Sequence, residues 1–331
     1  MEQIWGTSSW KLNYTKYEDH IRLNAAVTRD RDAALPEELF GLPVTILGQG
    51  MMKPFDWASA DPSECIELIS SPEGPDDKWN NRNIRSLVLP AGILRVEHYA
   101  LMNCDHLERL ELTDRDIDWG TSPMMNCDML HQITLHQWRP ESRTLCYLCR
   151  ELPQELDITM MQTELGREAC KARLLFPEYS EIFNEHYSAH KIEYSIEGLG
   201  YPYHHVFRDR LFHFQDYDRL WEKYRSRSAE ELTPAVLAWF RLRWPRELSD
   251  EHREAYRAYT APRAGMLMDW IMEHGTASDL HDLLSGIQPN QDALRQACDT
   301  ARQMERTDCL AILLEKLHGE VPRGRAKSYS L

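Results

Sequence analysis

The chain has 331 residues and a mass of 38.8 kDa, with 38 basic against 53 acidic side chains and a formal charge of −15. Apolar residues make up 42% and charged residues 27%, the balance of an ordinary folded protein of about two domains and not of a disordered one. The charge disfavours nucleic acid as a general ligand, no run approaches the ~18 apolar residues of a membrane span, and the opening MEQIWGTSSWKLNYTKYEDH lacks the basic-then-apolar layout of a secretion signal, so a cytoplasmic protein is expected.

Taken from the N-terminus, Trp10 to Tyr14 and His20 to Leu23 read as the two strands of a hairpin. Cys65-Ile66-Glu67-Leu68-Ile69 reads as an extra strand, and the stretch from Ser70 to Asn81, rich in Ser, Pro, Gly, Asp and Asn, as a surface loop. From Ile84 the chain repeats itself. Ile84-Arg85-Ser86-Leu87-Val88-Leu89, Leu107-Glu108-Arg109-Leu110-Glu111-Leu112 and Leu130-His131-Gln132-Ile133-Thr134-Leu135 share the pattern apolar-x-x-apolar-x-apolar at a constant step of 23. A fourth copy, Pro153-Gln154-Glu155-Leu156-Asp157-Ile158, keeps the last two apolar positions at that step. Between the strands, Met102-Asn103-Cys104-Asp105 returns as Met125-Asn126-Cys127-Asp128, and Val96 returns as Trp119.

A repeating Asn-Cys-Asp triplet is beyond what chance periodicity in an apolar-rich chain produces. Each unit is a short strand whose alternate side chains point inward. One unit cannot bury its apolar face alone, so copies stack into a solenoid. The expected inward ladder is Leu87, Leu89, Leu110, Leu112, Ile133, Leu135, Leu156 and Ile158, with Cys104 and Cys127 as small apolar rungs. Asn103 and Asn126 are expected to satisfy backbone groups of the turn before each strand. Alternation assigns Ser86, Val88, Arg109, Glu111, Gln132, Thr134, Glu155 and Asp157 to an outward ladder, the candidate partner-binding surface, with the helical array or the groove between the halves as the competing one.

These residues resemble the BspA-type leucine-rich repeat, in which a strand is followed by Pro, an apolar segment, an Ala-x-x-Asn-Cys phrase and a Leu leading into the next strand. Leu87 to Cys104 fits that template over nearly a whole repeat. Leu35 to Gly48 is similar to the phrase that precedes the first full repeat of such arrays. The resemblance spans about residues 10–160. It implies a stack of short parallel strands whose N-terminal hairpin serves as a cap, and a role in binding other proteins.

Beyond residue 163 the pattern shifts to period 3.6. Glu164 to Leu175 reads as a helix ending before Pro177; residues 178–215 are aromatic and His-rich with turns at Gly198 to Pro202. Further helices are predicted at 216–226, 229–243, 249–260, 263–274, 277–285, 290–303 and 307–318, with caps at Ser228, Ser249 and Asn290 and stops at Gly275, Gly286 and Gly319. Short connections suggest stacked antiparallel pairs; Ala293 to Cys298 followed by Cys309 to Leu314 resembles an ankyrin-type helix pair. Trp239, Phe240, Trp244 and Trp270 fall on helical spacing and read as core. The expected fold class is therefore α+β: a leucine-rich-repeat solenoid over 1–160, an all-α helical-hairpin domain over 161–320 and a flexible tail over 321–331.

The eight cysteines, in a chain large enough for its own core, are expected to be thiols. Cys146-Tyr147-Leu148-Cys149 is a lone CxxC without the second pair a zinc site needs. His204, His205 and His213, with Tyr201 and Tyr203, form the densest His and aromatic cluster, yet adjacent histidines do not share a face. Nucleophile elbows and phosphate loops do not occur. Residues 1–165 hold 27 acidic and 15 basic side chains, so most of the negative charge belongs to the repeat half, as a solvated face or as a surface for a basic partner. The function expected is a non-catalytic interaction or scaffold protein that binds another protein, without cofactor, metal, nucleic acid or membrane. The alternatives are an enzyme with a site near His204, His205 and His213, and a surface adhesin.

Overall fold

The computed structural model describes residues 2–5, 7–70, 78–164, 166–186 and 191–319. The sequence loop 71–77 and the C-terminal tail lie outside the described residues. Two compact units emerge, Met1–Leu220 and Trp221–Leu331. The first is an N-terminal β-solenoid of roughly 24-residue period, and the second is all-helical.

Two sheets make the solenoid. One has the order β4 (Asp32–Ala34), β8 (Ser86–Val88), β10 (Arg109–Thr113), β12 (Gln132–His136), β13 (Leu156–Glu164) and β14 (Arg167–Phe176), counted in the reverse direction from β14. All pairs are parallel except β13–β14. Ala33, Leu87, Leu110, Ile133 and Ile158 stand in register, all of them buried. The second sheet joins β1 (Glu2–Trp5), β7 (Cys65–Ile69), β2 (Trp10–Lys16), β3 (Ile21–Thr28), β6 (Leu42–Leu47), β9 (Arg95–Val96) and β11 (Asp118–Trp119), with β5 (Glu38–Leu39) paired to β6 off this path. Val96 and Trp119 are register partners, as the repeat requires.

The expected N-terminal hairpin is present as β2–β3, and β3 pairs with β6, closing that end of the stack. The extra strand β7 adds outside the hairpin, antiparallel to β2. Asn81, read as the end of a surface loop, is buried: its Nδ2 donates to the carbonyls of Ala26 and Met52 at 2.8 and 3.0 Å. Coils stack tightly enough that a Cβ on Gly120 would lie 2.5 Å from the His98 nitrogen, which only glycine avoids.

Three expectations about local structure are corrected. Glu164 to Leu175 is not a helix but the turn and second strand of the β13–β14 hairpin, so the strand region runs well past 160. The open edge of β13 offers a full row of backbone partners, and pairing there overrides the local helix propensity. The fourth repeat copy is slipped by two residues: Ile133 faces Ile158 and Leu135 faces Met160. Because strand side chains alternate with period 2, the slip keeps every residue on its face. Finally, Asn103 and Asn126 adopt left-handed backbone, φ 64° and 61°, and bond each other, Asn126 Nδ2 donating to Asn103 Oδ1 at 2.7 Å. They form a side-chain ladder and, among the described residues, do not bond the turn backbone.

Helix α1 (Thr144–Glu151) lies between β12 and β13; after β14 come the hairpin β15 (Ser180–His186) and β16 (Lys191–Glu197), the short α2 (Tyr201–His204) and α3 (Phe214–Arg227), within which the unit boundary falls. The second unit comprises α4 (Leu232–Arg243), α5 (Asp250–Thr260), α6 (Ala264–His274), α7 (Ala277–Gly286), α8 (Gln291–Gln303) and α9 (Thr307–Gly319), close to the predicted spans. Helix α4 packs on α5, α6 on α8, and α8 on α9. Ser249 and Asn290 cap α5 and α8 as expected. Ser228 does not cap α4, which starts after Glu231 without a side-chain cap. Trp239, Phe240 and Trp270 join one ring cluster. No described helix is long and apolar enough to cross a membrane.

Candidate functional site

The residues assigned to the outward ladder lie on the β4–β14 sheet, where Ser86 and Asp157 are buried. Ser86, Arg109, Gln132 and Asp157 form one row, and Val88, Glu111, Thr134 and Thr159 the next. The two-residue slip puts Thr159 in the place expected for Asp157, and Glu155 precedes the strand. Charges on this face are paired within the chain. Arg109 reaches across β8 to Asp32 at 2.9 Å. Asp157 receives the Arg173 Nε at 2.8 Å, with a second guanidinium bond beside it. His136 sits between two carboxylates, Nε2 to Glu111 at 3.0 Å and Nδ1 to Glu168 at 3.0 Å. Burial pulls the His136 pKa down, and the bonds to Glu111 and Glu168 outweigh it, so the net shift is upward.

The three histidines do not form a joint site; each has its own partner. His204 is fully buried, with Nδ1 2.7 Å from the Cys149 carbonyl and Nε2 2.9 Å from that of Pro177. Burial lowers its pKa, against the pull of the two carbonyls. His205 stacks on Tyr201 with centroids 3.9 Å apart. The His213 carbonyl accepts from Asp216 and Tyr217 at the start of α3. All eight cysteines are free thiols. Burial pushes the Cys149 thiol up, and the neighbouring Cys127 thiol and burial do the same to Cys104. Among the described residues no group of three or more His, Cys, Asp or Glu is arranged to hold a metal.

A different surface lies outside these expectations. The hairpin β15–β16 is a two-stranded sheet of its own. Phe183 faces Tyr194 in register, and Ile196 lies two residues further along the same face. Phe183 is 65% exposed and Tyr194 49%, with ring centroids 5.0 Å apart. A lone hairpin is marginal in water, and it usually hides its aromatic face; this one displays it. The signal was legible as strict alternation in Lys191-Ile192-Glu193-Tyr194-Ser195-Ile196, but the aromatic and His content of the segment masked it.

Comparison with protein-family models, with curated proteins and with solved structures gives no match.

Proposed function

We propose that the protein is a non-catalytic binding protein of BspA-like leucine-rich-repeat type, working in the cytoplasm and holding another protein through the apolar face of the β15–β16 hairpin. The observation that carries this reading is the exposed Phe183, Tyr194 and Ile196 cluster on strands that, among the described residues, pair with no other sheet. Aromatic anchors of this kind dominate protein interfaces. The outward ladder is the weaker candidate: it carries no Trp or Tyr, and its charges are committed to Asp32, Arg173 and the Glu111–His136–Glu168 cluster. Eight free thiols support a reducing compartment.

The test is affinity capture from native lysate with the full chain, its Phe183→Glu/Tyr194→Glu variant and its Arg109→Glu/Glu111→Arg variant. A stoichiometric partner is expected to be retained by the ladder variant and lost by the hairpin variant. A partner that the hairpin variant still holds overturns the assignment of this face.

A further inference from the structure

A cleft of about 880 Å³ opens in the first unit between α1 and the segment joining β10 to β11. That volume lies in the range of small-molecule sites. Its walls follow from local structure. On α1, Arg143, Tyr147 and Arg150 fall at i, i+4 and i+7 and so share one face. Arg115 comes from the opposite segment, and Arg210 from a tight turn after α2.

The four guanidiniums have one feature in common: among the described residues none has an ion-pair partner. In a chain of charge −15, where carboxylates are in excess, four uncommitted arginines on one cleft run against the trend. The aspartates on its rim are spent elsewhere, Asp118 on Arg95 at 2.8 Å and Asp116 on Arg139 at 3.7 Å. Glu141 remains as an acceptor; Glu151, whose pKa burial raises, already bonds the Met124 N–H and Tyr147. Arg143 stands at the start of α1, where the Thr144 N–H donates to the Ser142 hydroxyl at 3.1 Å.

Arg210 is held there at a cost. Arg208 and Leu211 exchange backbone bonds of 3.1 and 2.8 Å, and the two residues between them, Asp209 and Arg210, have φ 50° and 68°. A two-residue turn with both φ values positive is the type in which Asn-Gly is favoured. An arginine at its second position is strained, and the strain presents a cation to the cleft.

The cleft also has an aromatic wall. Trp119 and Tyr147 stack with centroids 4.7 Å apart and planes at 9°. The Tyr147 hydroxyl donates to the Gly120 carbonyl at 3.1 Å, which fixes the platform. The Trp119 Nε1 is buried and has no acceptor among the described residues, a cost that a bound acceptor removes.

We propose that this cleft binds a nucleoside phosphate, the guanidiniums of Arg115, Arg143, Arg150 and Arg210 receiving the phosphates, and the Trp119–Tyr147 wall with Glu141 receiving the base. Guanidinium forks match phosphate oxygens. A base supplies a flat face for the rings and N–H donors for the Glu141 carboxylate, which a bare oligophosphate does not. The mixed lining therefore favours the nucleotide over the inorganic anion.

Isothermal titration of the full chain with ATP, GTP and tripolyphosphate tests this. At least one nucleotide is expected to bind below about 1 mM, with tripolyphosphate about tenfold weaker, and raised salt is expected to weaken both. The Arg150→Ala/Arg210→Gly variant is expected to lose at least about tenfold in nucleotide affinity. Arg210→Gly alone is expected to raise the melting temperature, because glycine suits the turn, which separates lost binding from lost folding. Trp119→Leu is expected to erase the preference for nucleotide over tripolyphosphate. No binding of any of the three, binding that survives the arginine substitutions, or tripolyphosphate binding as tightly as the nucleotides each overturns the proposal.

Discussion

Single residues carry constraints that burial alone does not explain. Asn103 and Asn126 recur every 23 residues at left-handed backbone and bond each other across the coils. Asparagine tolerates this conformation better than other side chains, and glycine better still. Asn103→Ala is therefore expected to destabilise the protein by about 1–2 kcal/mol, and Asn103→Gly by less, although both lose the side-chain bond. Urea unfolding of the two variants measures the difference; equal losses would place the whole effect in the Asn–Asn bond. The same step pairs Cys104 with Cys127, whose thiols are buried side by side. Cysteine there is a small apolar rung, and its chemistry is suppressed by burial.

At the scale of elements, the notable tie is Glu111–His136–Glu168, which links β10, β12 and β14 across the sheet. The folded pKa of His136 lies above its ordinary 6.5. A raised histidine pKa means the folded state holds the proton more tightly, so the stabilisation is fully present below about pH 6.5 and is lost as pH rises through the folded value. Buried His204, with its lowered pKa, contributes in the opposite sense, losing stability as pH falls. Comparing wild type with His136→Gln isolates the first term. The wild type is expected to lose part of its advantage over the variant between about pH 6 and pH 8, read as converging urea midpoints. A gap that is constant with pH would mean that folding does not change the proton affinity of His136. Elements also show where local propensity loses. Glu164 to Leu175 is rich in helix-forming Glu, Leu, Ala, Arg and Lys, yet Ile158 to Leu174 and Leu156 to Phe176 are register pairs of a β-hairpin. The partners that make it a strand lie in a neighbouring strand, and helix periodicity contains no information about them.

For the whole molecule, the solenoid is one continuous core built from short strands. Leu110 is fully buried in its middle, between Leu87 and Ile133. Leu110→Ala is expected to cost about 2–5 kcal/mol and to accelerate amide exchange in both neighbours, β8 and β12, since each coil is stable only through its neighbours. Loss of protection confined to β10 would contradict a shared core. By itself the sequence determined the step of 23, the rungs Leu87, Leu110 and Ile133, the N-terminal hairpin and the spans of α4 to α9. These are encoded in repetition and in periods of 2 and 3.6, which are local. Only the tertiary structure decided the slip that seats Met160 beside Leu135, the strand identity of Arg167–Phe176, the display of Phe183 and Tyr194, the burial of His204, and the meeting of Arg115, Arg143, Arg150 and Arg210 on one cleft. Each of these depends on which distant segments share an edge or a wall, and that is set by the packing of the whole chain.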